Sequence, residues 1–501
     1  MSSRTTAMSL IQAVLDDGSF TTWDEPIGVP AAIDPGYADT LERARASTGE
    51  DEAVLTGSGT VDGMPVAVIV SEFGFLGGSV GVACANRIVT GIRRATAEGL
   101  PLLAAPASGG TRMQEGTIAF LQMVRITAVI VDHKNAGLPY LVYLRDPTTG
   151  GVFASWGSLG HITVAEPGAL IGFLGPRVYQ ALNQRPFPEG VQRAENLAAH
   201  GIIDAVVPVA DLGSLAARVL RIIQSPPDPV RTAEPAAVGD PEPARMPRST
   251  WDSVRSTRDA RRPGVRHVLR HGASDVIPLS GTSEGEQHPG ILTALARLTG
   301  GISCVVVGQD RHTQRRGDPI GPAALRQVRR CVRLAGELRL PLVTVIDTPG
   351  AALTPDAEEG GLGGEIARCL ADLIELRSPT VSVLLGEGAG GGALALLPAD
   401  RIVAAENSWL APLPPEGASA ILHRGDTSFA PVIARQQGIG ARDLAREGVI
   451  DEFIAEPYDD VPAFAASLAG AIVRHLAEAT AEPWSTRARR RAERFARPLP
   501  R

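Results

Sequence analysis

The sequence predicts an α/β fold built as two tandem domains from an internal duplication. Three observations predict it. Short apolar runs alternate with segments of helical period along the chain. A Pro-rich, polar stretch from Ser225 to Ser249 divides the chain near its middle. The two halves then align at a constant offset of 240 residues, at three places. "GLPLLAAPASGG" ends at Gly110 and "RLPLVTVIDTPG" at Gly350. "GLPYLVYLRDPTTGG" ends at Gly151 and "RSPTVSVLLGEGAGG" at Gly391. "HITVAE" ends at Glu166 and "RIVAAE" at Glu406. Agreement at three register points marks one unit repeated. The expected boundaries are 1–224 for the first domain, 225–249 for the linker and 250–501 for the second domain.

Each half unfolds in the same order. Two strands, near Ala53–Val61 and Met64–Ser71, open the first half. A helical pattern follows in both, "ANRIVTGIRRATAEG" in the first and "AALRQVRRCVRLAGELR" in the second. Leu-Pro then introduces a buried strand. A Gly-bearing turn leads into a second helix, and a Pro-led strand follows. A Gly-Gly turn, a further helix and a third strand complete the unit. Strands alternating with helices in this way form right-handed βαβ units.

Composition narrows the function. The net charge of −7 offers no global basic field for nucleic acid. The basic C-terminal run "STRARRRAERFARPLPR" reads as a solvated helical end. Cys84, Cys304, Cys331 and Cys369 form no C-x-x-C pair and read as buried thiols in a reducing compartment. The apolar stretch at the N-terminus is too short for a signal peptide, and no uninterrupted apolar run reaches membrane-spanning length. A cytoplasmic protein with no membrane partner is expected. Lys134 is the only lysine. It sits in "VDHKNAG", so there is no Walker A lysine and no biotin-carrying lysine. The nine histidines show no ligand spacing, so no metal is expected.

Two familiar patterns need weighing. Gly77-Gly78-Ser79-Val80-Gly81 is a G-x-S-x-G, the form of a hydrolase nucleophile elbow. Only two strands precede it, too few to supply the earlier oxyanion loop of that fold. Gly386, Gly388 and Gly391 form a G-x-G-x-x-G, with Glu406 twenty residues on, as in dinucleotide-binding folds. The first half repeats the unit with "DPTTGG" and lacks that fingerprint. The repeated element is therefore the Gly-Gly turn. With 55 glycines in the chain, either pattern alone is weak.

Paired glycines at a helix start let amide N–H groups approach a ligand and stabilise a forming oxyanion. The turns at Gly150-Gly151 and Gly391-Gly392 offer two such places. Ser108-Gly109-Gly110, with Arg112 two residues on, suits a phosphate or polar thioester. No acid–base pair is evident, so the base is expected to come with the substrate or cofactor.

Together these residues resemble the carboxyltransferase of acetyl-CoA carboxylase. The first half is similar to the bacterial β subunit in "GSFTTWDEP", "FGFLGGSVG", "ASGGTRMQEG", "GLPYLVYLRDPTTGGVFASWGSLGHITVAEPGALIGFLGPR" and "PEGVQRAENLAAHGIIDAVV". The second half is similar to the α subunit in "LPLVTVIDTPGA", "GEGAGGGALAL", "PPEGASAIL" and "GVIDEFIAEP". The order resembles the fused β–α carboxyltransferases of actinobacteria.

The resemblance implies a crotonase-like (ββα superhelix) fold in each half. It implies transfer of a carboxyl group from carboxybiotin, carried on a separate protein, to an acyl-CoA, with acetyl-CoA giving malonyl-CoA for fatty acid synthesis. The partners implied are a biotin carboxyl carrier protein and a biotin carboxylase. The active site would lie between halves of two protomers, hence at least a homodimer. Gly150 and Gly151 match the turn that holds the thioester enolate. Gly391 and Gly392 match the turn facing the biotin ureido oxygen, with Gly350, Gly390 and Ala393 beside it. Gly77, Gly78, Ser108, Gly109, Gly110 and Arg112 would line the CoA side. Two features depart from the family. There is no four-Cys zinc ribbon. After "DTPG" the chain reads Ala351-Ala352-Leu353 where Tyr-Pro-Gly is usual, and then "EGGLGGEIA". The alternatives are a biotin-independent malonyl-thioester decarboxylase and a non-catalytic CoA- or carrier-binding scaffold.

Overall fold

Strand formation begins at a tight hairpin. Asp62-Gly63 is a two-residue loop with both φ positive, at 51° and 74°. That geometry matches the twist of two antiparallel strands. It joins Val54–Val61 to Met64–Ser71 in full register, from Val61 opposite Met64 to Val54 opposite Ser71. The computed structural model describes residues 5–27, 34–174, 179–180, 183–226, 249–456 and 460–495. Most of the expected linker, residues 227–248, lies outside them.

The chain forms two compact units, Met1–Arg221 with Ser283–Glu286, and Ile222–Thr282 with Gln287–Arg501. The strands of the first are β1 (Thr21–Thr22), β2 (Val54–Val61), β3 (Met64–Ser71), β4 (Leu102–Ala105), β5 (Tyr140–Leu144), β6 (Thr148–Thr149), β7 (Ile162–Ala165), β8 (Ile171–Gly172) and β9 (Ala205–Val206). Its main sheet runs β1-β2-β3-β4-β5-β7-β9, and β6 pairs with β8. From β3 onward the pairing is parallel. Helices Val82–Ala97 and Gly116–Asn135 supply Ile88, Ile92, Ile126 and Ile130 to the core against Ile69, Leu102 and Val142.

The second unit holds β10 (Ala273–Leu279), β11 (Ile291–Leu298), β12 (Ser303–Gln309), β13 (Leu342–Thr348), β14 (Thr380–Ala389), β15 (Arg401–Ala405), β16 (Trp409–Ala411) and β17 (Glu452–Ile454). Their order is β10-β11-β12-β13-β14-β15-β17, with β16 beside β14. Every residue of β13 and β14 is buried. Parallel strands covered on both faces read as continuous apolar runs, which is why these two were legible.

The repeat extends to fine detail, at the same 240-residue spacing. Gly81 and Gly321 stand as N-caps of Val82–Ala97 and Pro322–Glu337. Val80 bridges Thr111, and Ile320 bridges Ala351. Gly150 and Gly390 both start one-turn helices with φ near 60°, at 63° and 61°.

One expectation is corrected. The C-terminal run is helical over most of its described residues, as expected, but it is not wholly solvated. It forms helix Trp484–Glu493, whose Arg487 and Arg491 are buried. They lie one helical turn apart and reach the same carboxylate, that of Asp400, at 3.1 and 2.8 Å. A carboxylate fully out of water needs such partners. One helix, Met113–Asn135, is long and apolar enough to cross a membrane by length and composition, although charged residues interrupt it. Its Met123, Ile126 and Ile130 pack into the first core, and it carries Arg125, Asp132 and Lys134. It is built as a core helix whose other face is exposed and apolar.

Candidate active site

Three loops of the first unit converge. Gly78 has φ 62°, and a Cβ there would lie 1.9 Å from the carbonyl oxygen of Ala107. Only glycine allows that approach. The Gly109 amide donates to the Gly77 carbonyl at 2.9 Å, and the Val80 amide donates to that of Gly110, also at 2.9 Å. The Ser108 amide donates to Pro147 at 2.7 Å, and Thr149 donates back to Ser108 at 2.9 Å. A Cβ on Gly110 would stand 3.5 Å from Thr149 O and 3.7 Å from Gly150 Cα. The loops bearing Gly77-Gly78, Ser108-Gly109-Gly110 and Gly150-Gly151 thus form one wall. As the first residues of helix Gly150–Phe153, Gly150 and Gly151 have no i−4 carbonyl within the helix to bond.

Arg112 does not face that wall. It is 1% exposed and forms a two-armed ion pair with Glu52, one arm at 3.0 Å. It also donates to the Ser79 carbonyl at 2.8 Å. Burial is the largest single influence and opposes its charge, but the Glu52 bond and the Glu52 charge, with smaller contributions, together hold its pKa above the ordinary value. The guanidinium expected to meet a ligand phosphate is turned inward, because Glu52 is itself buried and demands a partner. Arg112 instead ties the loop of Ser108–Gly110 to that of Gly77–Gly81. Ser79 is likewise occupied. Its hydroxyl donates to the Leu76 carbonyl at 2.8 Å and takes a 3.4 Å bond from Arg112. No histidine is among those partners, so nothing there activates it as a nucleophile.

The second unit builds the matching wall. Thr348 Oγ1 takes the Gly350 amide at 3.1 Å, as Ser108 Oγ takes that of Gly110 at 2.9 Å. A Cβ on Gly350 would meet nothing within 4 Å, so this glycine borders open space, and its φ is 138°. A Cβ on Gly392 would lie 3.2 Å from the Ala351 nitrogen, which places the two glycine turns together. Structural equivalence pairs Gly150 with Gly390 and Gly151 with Gly391. In helix Gly390–Leu394, the amide of Ala393 faces the Ala389 cap carbonyl by the α-helical pattern. The open donors at the helix start are therefore Gly390, Gly391 and Gly392.

The dinucleotide fingerprint dissolves into packing. A Cβ on Gly386 would meet Asp347 Oδ1 at 2.2 Å, and one on Gly388 would meet Trp409 O at 2.6 Å. Glu406 pairs with Arg442 at 2.6 Å.

Sequence reading missed a polar layer beneath the second wall. Gln309 and Gln314 are buried, as is Asp347. Gln314 donates to the Asp347 carbonyl at 3.1 Å and accepts from Thr348 Oγ1 at 2.6 Å, which steadies the Gly350 turn. Burial raises the pKa of Asp347, opposed by the nearby guanidinium of Arg311 at 3.5 Å. The polar ending of an apolar run, "VVVGQD", was the one available signal. All four cysteines are buried thiols. Among the described residues no cluster of His, Cys, Asp or Glu is arranged to hold a metal.

Comparison with known proteins accords with this architecture. The model of the carboxyl transferase domain family matches residues 2–494. The chain is 56% identical over 500 residues to the probable biotin-dependent acyl-coenzyme A carboxylase beta3 subunit of Mycobacterium tuberculosis, covering 99% of each. It is 37% identical to the acetyl-coenzyme A carboxylase carboxyl transferase subunits beta/alpha of Salinispora arenicola, over 99% of this chain and 91% of that one. Among solved structures, transcarboxylase 12S, described as a hexamer assembly with methylmalonyl-coenzyme A bound, superposes with TM-score 0.74. The identity is 22%, over 95% of this chain and 90% of that one. That likeness shows the fold, a crotonase-like α/β architecture. Matched almost end to end, the chain belongs to the carboxyl transferase family, of the kind that serves biotin-dependent acyl-CoA carboxylases.

Proposed function

We propose that this chain moves a carboxyl group from carboxybiotin, presented by a separate carrier protein, to the α-carbon of a short acyl-CoA, with acetyl-CoA giving malonyl-CoA. The observation that carries the reading is the pair of equivalent glycine turns, each starting a one-turn helix with open amides. The amides of Gly150 and Gly151 are suited to hold the thioester oxygen as the enolate forms. Gly77, Gly78, Gly109 and Gly110 form the CoA-side wall, close enough for backbone contact because none carries a Cβ, and buried Ser108 steadies the Gly110 amide. Gly390–Gly392, with Gly350 bordering open space, are suited to the ureido oxygen of biotin. When bound, carboxybiotin supplies the CO2 and, from the ring nitrogen it leaves, the base for the α-proton. That accounts for a wall without an acid–base pair.

The exposed apolar face of helix Gly116–Asn135 supports association of at least two copies. Phe120 and Val124 there are 60% and 68% exposed. Such a face on a core helix is the mark of a covered surface.

The direct test is the reverse reaction. Malonyl-CoA with free biotin should yield acetyl-CoA. Comparing acetyl-, propionyl- and butyryl-CoA with a carboxybiotin carrier then ranks the substrates. Absence of turnover with every malonyl-type CoA overturns the reading. Decarboxylation of a malonyl thioester without biotin would replace it with the decarboxylase alternative.

A further inference from the structure

The geometry points to Gln309 as a positioning residue for the second glycine turn, Gly390–Gly392. This rests on the carboxyltransferase reading. Gln309 is the last residue of β12 and is fully buried. The register of β13 on β14 shifts between Ile346 and Thr348. On its other side β13 pairs with β12 only as far as Val345 opposite Gly308, so the Asp347 amide, which faces β12, lies beyond that ladder. Gln309 Oε1 accepts that amide at 3.1 Å. The other end of the same side chain, Nε2, donates to the Gly392 carbonyl at 2.7 Å. One planar amide therefore spans β13, which leads into the Gly350 turn, and the helix that starts at Gly390.

Its orientation is fixed. Turning the amide over would set its oxygen against the Gly392 oxygen and its NH2 against the Asp347 N–H. The Gly392 carbonyl also depends on it. The Leu396 amide, its helical partner by spacing, bonds to Ala393 at 3.1 Å instead. A one-turn helix has little internal cohesion and takes its position from outside ties. Among the described residues the first unit shows no such tie. Its equivalent carbonyl, on Val152, is satisfied locally by the Ser155 amide at 3.3 Å, and β3 ends in Ser71. Thus the biotin-side turn is held by a long-range amide, and the thioester-side turn by local bonds.

The test compares Gln309→Met, which removes both bonds at similar volume, with Gln309→Glu, which keeps an acceptor but cannot donate to Gly392 while ionised. Ser378→Ala is the control. It deletes a different buried bond of the second unit, to the Ala335 carbonyl at 2.9 Å. Both Gln309 variants should lower kcat about 100-fold, the cost of a slightly misplaced group. KM for the acyl-CoA should stay within about three-fold, since its wall is unchanged. Ser378→Ala should keep wild-type rates. A folded Gln309→Glu protein with wild-type kcat overturns the inference and leaves the carboxyltransferase reading standing. If the wild type itself shows no turnover, that reading fails, and amide hydrogen exchange decides the inference. Exchange over Gly390–Leu394 should then quicken about ten-fold in Gln309→Met, as for loss of one hydrogen bond. Unchanged exchange overturns it.

Discussion

At the scale of single residues, glycines separate into two kinds by what a Cβ would meet. Gly78 has no room: the obstruction is backbone, 1.9 Å away, and φ is 62°. Gly78→Ala should destabilise the first unit by about 3 kcal/mol or more, read from chemical denaturation. At Gly391 the nearest atom is the end of the Ile366 side chain, 2.6 Å from a Cβ, and φ is ordinary. That side chain can turn away. Gly391→Ala should therefore keep its melting temperature within about 2 °C while carboxyl transfer falls about 100-fold. Ser79→Ala should stay within about three-fold of wild type, since a lost nucleophile costs on the order of a millionfold. His133 gives a pH signature. Burial pushes its pKa from 6.5 down to about 4, and its ring bonds Thr96 Oγ1 and the Pro139 carbonyl. As pH falls from 6.5 toward 4, the unfolded chain takes up a proton that the folded chain refuses, so stability declines. Over that window the loss from this group is about 3 kcal/mol, flat below it. Urea midpoints of His133→Gln should fall less steeply with acid than those of wild type.

At the scale of elements, each unit must redirect a strand toward a second partner before its glycine turn. The first unit does so at Asp146-Pro147, after which β6 pairs with β8. The second uses the register shift opposite Asp347, after which β14 pairs with β16. Gly386 makes room there for the Asp347 carboxylate. The strands themselves were readable because buried parallel strands are short, apolar and bounded by Pro and Gly. The helix Trp484–Glu493 is legible as a helix, but the burial of Arg487 and Arg491 is not, since a basic run looks alike whether it meets water or a buried acid. Asp400→Asn should cost about 3–5 kcal/mol by stranding the charges of Arg487 and Arg491. The urea midpoint should drop with the slope unchanged.

At the scale of the whole molecule, the proposed association through the exposed apolar face of helix Gly116–Asn135 has a direct test. Replacing Ile118 and Val124 together by Ser should leave circular dichroism intact and reduce the mass seen by sedimentation. Activity should fall in parallel if the site is completed by a second copy. The sequence by itself determined the duplication, the alternation of strands and helices and the places of the paired glycine turns, the second to within one residue. Those features are local: a turn with positive φ admits glycine and little else, and a buried strand admits only apolar side chains. The tertiary structure alone decided which polar groups face the walls and which lie beneath them. Arg112 has the local pattern of a ligand-binding residue but pairs with Glu52, and Gln309 is marked only as the polar ending of an apolar run. The partners of a buried charge or amide come from remote parts of the chain, and only the folded packing brings them within hydrogen-bond reach.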